Sequence, residues 1–187
     1  GSEELRRAES DPADEGDGFR DALTHVSSSD RVVAPQFVGV TAVAADPSRA
    51  DVIVVADGIG LWLVGAAQSP TLFAPETVTT SLTFTPDGSF IVALDGNVSE
   101  RALRVYSPSG ELVASNPVFV DASGLQLVSV TGDLDDRTLL GLSVSGDNPS
   151  IARLTRLLVN DDGTVQPVEV VAVDGLGSLG QAQAVTR

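Results

Sequence analysis

TSLTFTPDGSFIVALDGNVSERALRVYSPSGELVAS, from Thr80 to Ser115, decides how the rest of the chain is read. Ser81 to Thr85 alternates polar and apolar side chains, as a strand with one buried face does. Pro86-Asp87-Gly88 then sets a turn, because proline fixes φ and glycine tolerates positive φ. Phe90 to Leu94 is an unbroken apolar run, too short for a helix, and predicts a strand covered on both faces. Asp95-Gly96-Asn97 turns the chain again. Leu103 and Val105, flanked by Arg104 and Tyr106, restore the alternation, and Pro108-Ser109-Gly110 turns into Leu112 and Val113. Four strands in about 36 residues are the content of one propeller blade.

Copies lie on either side. VTAVAADPSRA (Val40 to Ala50) repeats the strand and proline turn, DVIVVAD (Asp51 to Asp57) the apolar run with its closing Asp, and Leu61 to Val64 stand where RALRVY later stands. LVSVTGDLDD (Leu127 to Asp136), TLLGLSV (Thr138 to Val144), IARLTRLLV (Ile151 to Val159), the turn Asn160-Asp161-Asp162-Gly163 and TVQPVEVVAV (ending at Val173) repeat it once more. The offsets, about 40 and about 48 residues, are those of a propeller array. The copies span about 40–75, 80–120 and 127–173, with strands expected near 40–46, 51–57, 61–66, 81–85, 89–95, 101–107, 111–115, 137–144, 151–159 and 164–173.

Phe84-Thr85-Pro86-Asp87-Gly88 with Phe90-Ile91-Val92-Ala93 resembles the F-S-P-D-G-x-x-L-A-V signature of bacterial WD40-like and YVTN-type β-propeller repeats. The match shortens to Asp46-Pro47 in the first copy and to Gly132-Asp133 in the third, and the Gly-His and Trp-Asp marks of true WD40 blades are missing. The resemblance implies a fold and no activity. A β-sandwich is the rival, since short alternating strands with frequent turns describe it as well.

The chain has 187 residues, enough for one domain with a real core, and 42% of them are hydrophobic. All 11 basic residues are arginine. A net charge of −15 argues against nucleic acid or an anionic membrane as partner, since both repel such a surface. There is no cysteine, so neither disulfides nor thiol chemistry are available, and no apolar run approaches the ~18 residues of a membrane helix. Residues 1–30, charged and ending in a serine run, are expected to be an acidic flexible tail or linker, with the domain occupying 31–187. Gly1-Ser2 looks like a protease scar from an expression tag, so that any signal peptide or lipid anchor is expected to have been cut away with the missing start.

Few constellations carry chemistry. GLGSLG (Gly175 to Gly180) has dinucleotide-loop spacing, but only seven residues follow it where a Rossmann unit needs a helix and a strand, so it is read as a turn. Asp133, Asp135 and Asp136 share one turn, and Asp11, Asp14, Glu15 and Asp17 share the tail; such oxygens suit calcium, although neither group has calcium-loop spacing. Asp57 and Asp95 close equivalent runs and are expected to accept backbone hydrogen bonds in the following turns. Gly141-Leu142-Ser143-Val144-Ser145 breaks the nucleophile-elbow pattern at its last position, and the sole histidine, His25, lies in the tail. Asn97-Val98-Ser99 fits a glycosylation sequon, and Trp62 and Tyr106 are assigned to packing between blades. No catalytic residue is assigned.

The reading is therefore an all-β, propeller-like array of three to four four-stranded blades serving as a non-catalytic binding or sensing module for a protein or peptide, in an exported, extracytoplasmic bacterial protein. The alternative is a calcium-dependent propeller hydrolase of lactonase or esterase type. Known propellers have at least four blades, whereas the sequence holds three, plus QAQAVTR at its end and RVVAPQF near its start. Either these end strands close a small ring, or open blade edges pair with another copy or with another part of a longer protein.

Overall fold

Among the described residues twelve strands follow one another in three groups of four: β1 (Ala42–Ala45), β2 (Val52–Ala56), β3 (Gly60–Gly65) and β4 (Gln68–Pro75); β5 (Thr79–Phe84), β6 (Ile91–Asp95), β7 (Ala102–Tyr106) and β8 (Leu112–Pro117); β9 (Leu125–Gly132), β10 (Thr138–Ser145), β11 (Ala152–Val159) and β12 (Val165–Val173). The computed structural model describes residues 37–65, 68–96, 101–118, 124–145 and 152–173, and among these there is no helix. Each group is a four-stranded antiparallel meander in which every strand pairs with the next, and the three sheets are the blades of a propeller-like array.

The blades stand in sequence order, with β1 beside β5 and β5 beside β9 as the innermost strands. Hydrogen bonds between blades tie equivalent positions one repeat apart. Thr41 Oγ1 donates to the Thr79 carbonyl (2.8 Å), 38 residues on. Ser81 Oγ both donates to the Val130 carbonyl (3.1 Å) and accepts from Val130 N–H (3.0 Å), 49 residues on, and Thr83 Oγ1 accepts from Gly132 N–H (3.1 Å) at the same separation. The spacing of contacts is the spacing of the sequence copies.

The core lies between blades. Val54, Ala56, Leu61 and Ala74 of blade 1 meet Leu82, Phe84, Ile91, Ala93 and Tyr106 of blade 2. The alternate residues Val92 and Leu94, with Phe90, Leu103 and Val105, meet Leu127, Leu139, Leu157 and Val159 of blade 3. All five residues of β6 are buried, because period-two alternation sends successive side chains into two different interfaces.

The outer strands lock onto the following blade. Phe73 of β4 packs edge-on against Tyr106 (5.3 Å, 75°) and lies so close to Gly110 that a Cβ there would sit 2.6 Å from the Phe73 ring. One blade on, Asn116 of β8 is buried; its Nδ2 donates to the Gly163 carbonyl and its Oδ1 accepts from Val165 N–H, both at 3.0 Å. Gly163 fits against Val113 and Ala114, where a Cβ would be 2.9 Å from the Val113 side chain.

Two sequence readings need correction. β4 and β9 lie outside the expected strand ranges, β9 falling in the LVSVTGDLDD stretch that opens the third copy; Pro70 and Pro75 argue against a strand at β4, which as the edge strand of its sheet need not donate every ladder bond. Trp62 and Tyr106 lie on corresponding strands but not at corresponding positions. Trp62 pairs with Val55 and Leu61 with Ala56 just before Asp57, whereas Arg104 pairs with Ala93 and Leu103 with Leu94 just before Asp95, so Arg104 is the counterpart of Trp62. Tyr106 packs between blades, whereas Trp62 meets Phe37 edge-on at 6.0 Å within its own blade's surroundings.

Candidate interaction surface

In an up-and-down meander the first and third connections of each blade emerge at one end and the second at the other. The β1–β2, β5–β6 and β9–β10 turns therefore share an end with the β7–β8 and β11–β12 turns. The residue after each first strand is Asp46, Thr85 or Asp133, and its N–H bonds across the turn to the carbonyl of Val52 (2.9 Å), Phe90 (2.9 Å) or Thr138 (3.0 Å). Side chains then close each turn. Asp46 Oδ1 accepts from Ser48 N–H and Oγ (2.8 and 2.7 Å), and Oδ2 from Arg49 Nε (2.6 Å). Thr85 Oγ1 donates to Asp87 Oδ1 (2.6 Å), which also accepts from Ser89 N–H (2.9 Å). Asp133 Oδ2 takes Arg156 Nε at 2.5 Å.

These turns are joined across blades. Ser48 lies against Gly88 of the next turn. Asp87 N–H donates to the Asp136 carbonyl (2.9 Å), and Arg137 reaches Asp87 Oδ2 (3.2 Å) with one nitrogen and Asp161 with another. Arg49 Nη2 donates to the Pro108 carbonyl (3.3 Å). The result is a hydrogen-bonded belt over three blades. Its outward side exposes Asp51, Glu111, Asp135, Asp136, Asp161 and Asp162, and among them Leu134, 77% exposed and the most exposed large hydrophobic residue described.

Burial pushes the carboxyls of Asp46, Asp57, Asp87 and Asp133 up, but their hydrogen bonds outweigh it and hold all four below the usual range. For Asp57 the donors are Ile59 and Gly60 N–H, Trp62 Nε1 (3.0 Å) and Val38 N–H (3.1 Å). Asp95, its counterpart, takes Arg104 at 3.0 Å, so one device recurs with a changed donor. Both aspartates do structural work; Asp57 accepts backbone bonds as expected, and Asp95 is held by a guanidinium.

The three aspartates singled out for calcium do not converge. Asp133 is held by Arg156, while Asp135 and Asp136 point into solvent from the turn, and among the described residues no three His, Cys, Asp or Glu side chains gather around a cation-sized space. GLGSLG, the Asn97 sequon, His25 and the tail aspartates lie outside the described residues. The sequence reading missed Arg49, Arg137, Arg156 and Asn116; Arg137, Arg156 and Asn116 find their partners in other strands or blades, and the only local signal was an arginine within the first and third of these turns, Arg49 and Arg137.

No protein-family model matches the chain, and no curated protein does. Among solved structures it is similar to the Cps50 (Swd1) β-propeller domain of Myceliophteria thermophila, at 16% identity over 70% of this chain and 45% of that one, with a TM-score of 0.49. It is likewise similar to Hsv2 of Kluyvelomyces marxianus, at 12% identity over 71% of this chain and 46% of that one, TM-score 0.47. A third is the hydrazine synthase of Kuenenia stuttgartiensis, at 10% identity over 81% and 53% of the two chains, TM-score 0.44. The chain spans about half the length of the solved proteins it matches.

Proposed function

We propose that this chain is a non-catalytic binding module whose belt of turns docks a protein or peptide partner carrying basic side chains around an apolar anchor. The observation that carries the reading is the hydrogen-bonded belt itself, whose turns expose six carboxylates and the apolar Leu134 at one end of the blades. Charge complementarity at such a surface sets encounter rate and orientation, and a buried apolar anchor supplies affinity. No observation favours the hydrolase alternative, because the carboxylate it would most readily use, Asp133, is already neutralised by Arg156. The proposal extends to recognition or sensing outside the cytoplasm of a bacterium, with which the lack of cysteine is compatible. Selection of displayed random peptides on the immobilised chain tests it. Enriched peptides should pair arginine or lysine with a large apolar residue, bind more weakly as salt rises, and lose at least tenfold in affinity on L134S/D136R. Peptides that bind that variant unchanged would contradict it, and recovery of the native protein in the cytosolic fraction would contradict its localisation.

A further inference from the structure

The outer strands of blades 1 and 2 meet the next blade through a residue that their own ladder leaves over. β4 inserts Phe73 between Ala74, the partner of Leu61, and Leu72, the partner of Trp62. β8 inserts Val113 between Ala114, the partner of Val105, and Leu112, the partner of Tyr106. A bulge of this kind re-aims its side chain out of the regular pleat. Each of the two seats on the turn glycine of the following blade's last hairpin. A Cβ on Gly110 would lie 2.6 Å from the Phe73 ring, and one on Gly163 would lie 2.9 Å from Val113. Both glycines have left-handed φ, 91° and 77°, and Tyr106 flanks the first contact edge-on to Phe73.

β12 carries both bulges at once. The carbonyls of Val52, Phe90 and Thr138 accept equivalent turn bonds, which aligns Ala56, Leu94 and Leu142 and, through them, their partners Leu61, Leu103 and Leu154. Ala172 pairs with Leu154 and Val170 with Thr155, so Val171 is the extra residue at the position of Phe73. Glu169 pairs with Arg156 and Pro167 with Leu157, so Val168 is the extra residue at the position of Val113. Val168 is 59% exposed where Val113 is 40%, and Val171 is 47% exposed where Phe73 is half-buried. Neither valine is among the nearest contacts of any described glycine.

We infer that the outer side of β12 docks a β-hairpin of another protein, one whose tight turn carries a left-handed glycine beside an aromatic or large apolar side chain. The argument is continuity with a contact that the chain already makes twice, bulge side chain against bare turn, at the same two positions of the ladder. Pro167 and the two bulges interrupt the edge of the sheet, so the partner is held by side-chain seats and not by an added strand. A second copy does not supply the hairpin. The turn glycines of its blades 2 and 3 are already filled by Phe73 and Val113, and the last hairpin of blade 1 has only Gly65, whose φ is not left-handed. The site does not rest on the belt of turns and stands whether or not the belt docks a basic peptide.

Titration of the whole isotope-labelled 187-residue chain with a cyclised peptide of residues 102–117, shown by its cross-strand contacts to be a hairpin, tests the inference. This probe carries both Gly110 and Tyr106, the two groups on which Phe73 seats. The expected result is that amide signals of β12 shift, and that affinity falls roughly tenfold for a G110A peptide and for the V168R and V171R chains. Both valines are exposed, so these variants should melt with the parent; V168S and V171S, with the same loss expected, decide the matter if an arginine variant does not fold. No shift in β12 at millimolar peptide overturns the inference. So do equal binding of the G110A peptide, binding indifferent to the valine variants, and a self-association that V168R abolishes, which would make a second copy the occupant.

Discussion

Val92 of β6 and Val54 of β2 occupy the deepest positions of the two interfaces, and neither has any exposed surface. Replacing either by Asp puts a carboxylate where neither water nor a cation waits, at a cost of several kcal/mol against a typical total of about 5–15. V54D and V92D should be insoluble or unfolded, while S109D, at an exposed turn, should melt with the parent; equal melting temperatures for all would refute the register. The apolar character of both positions was legible in the sequence, since a short unbroken run bounded by turns can be hidden only on both faces. The hydrogen-bonded aspartates Asp46, Asp57, Asp87 and Asp133 give a second residue-scale expectation. Their folded pKa values are lowered, so the unfolded chain binds more protons near its ordinary carboxylate value of about 3.9. The stability they contribute is present above that value and lost as pH falls through the folded values. Urea midpoints should therefore be flat near neutrality and fall below about pH 4. D87N should lower the neutral midpoint and flatten the acid decline; an acid decline equally steep in D87N would remove Asp87 from the account.

The turns and outer strands carry the next scale. Gly110 has φ 91° and no space for a Cβ beside Phe73. G110A should lose about 1–3 kcal/mol through left-handed strain and overpacking. N116A leaves the Gly163 carbonyl and Val165 N–H buried without their partner, at about 1–3 kcal/mol for each unsatisfied group. Chemical denaturation measures both, and a neutral N116A would mean that β8 is not anchored to blade 3. Proline turns and apolar runs make ten of the twelve described strands readable, and β9 appears only as the opening of the third copy. β4 was not readable, because its two prolines are tolerated at a sheet edge and its partner is identifiable only once the sheet exists. The belt was half legible: Asp46, Asp87 and Asp133 stand out as turn residues, but Arg137 reaching Asp87 50 residues away is a fact of blade packing. The same holds for Asp133, whose place in an acidic triplet suggested a cation until Arg156, 23 residues on, supplied the charge.

At the scale of the molecule, all described residues belong to one compact unit, Pro35–Arg187. Deleting residues 1–28 should leave cooperative unfolding intact; its loss would give the tail a structural part. The fold rests on one claim, that three blades pack face to face in sequence order so that the middle one is covered on both sides. Amide hydrogen exchange, followed strand by strand in the dilute chain at low salt, tests this most directly, because protection reports how much structure must open to expose each strand. The account predicts slowest exchange in β6 and β7, intermediate exchange in β2, β3, β10 and β11, and fastest in β12, whose exposed valines have no blade beyond them among the described residues. Exchange in β12 as slow as in β6, or in β6 as fast as in β12, would contradict it.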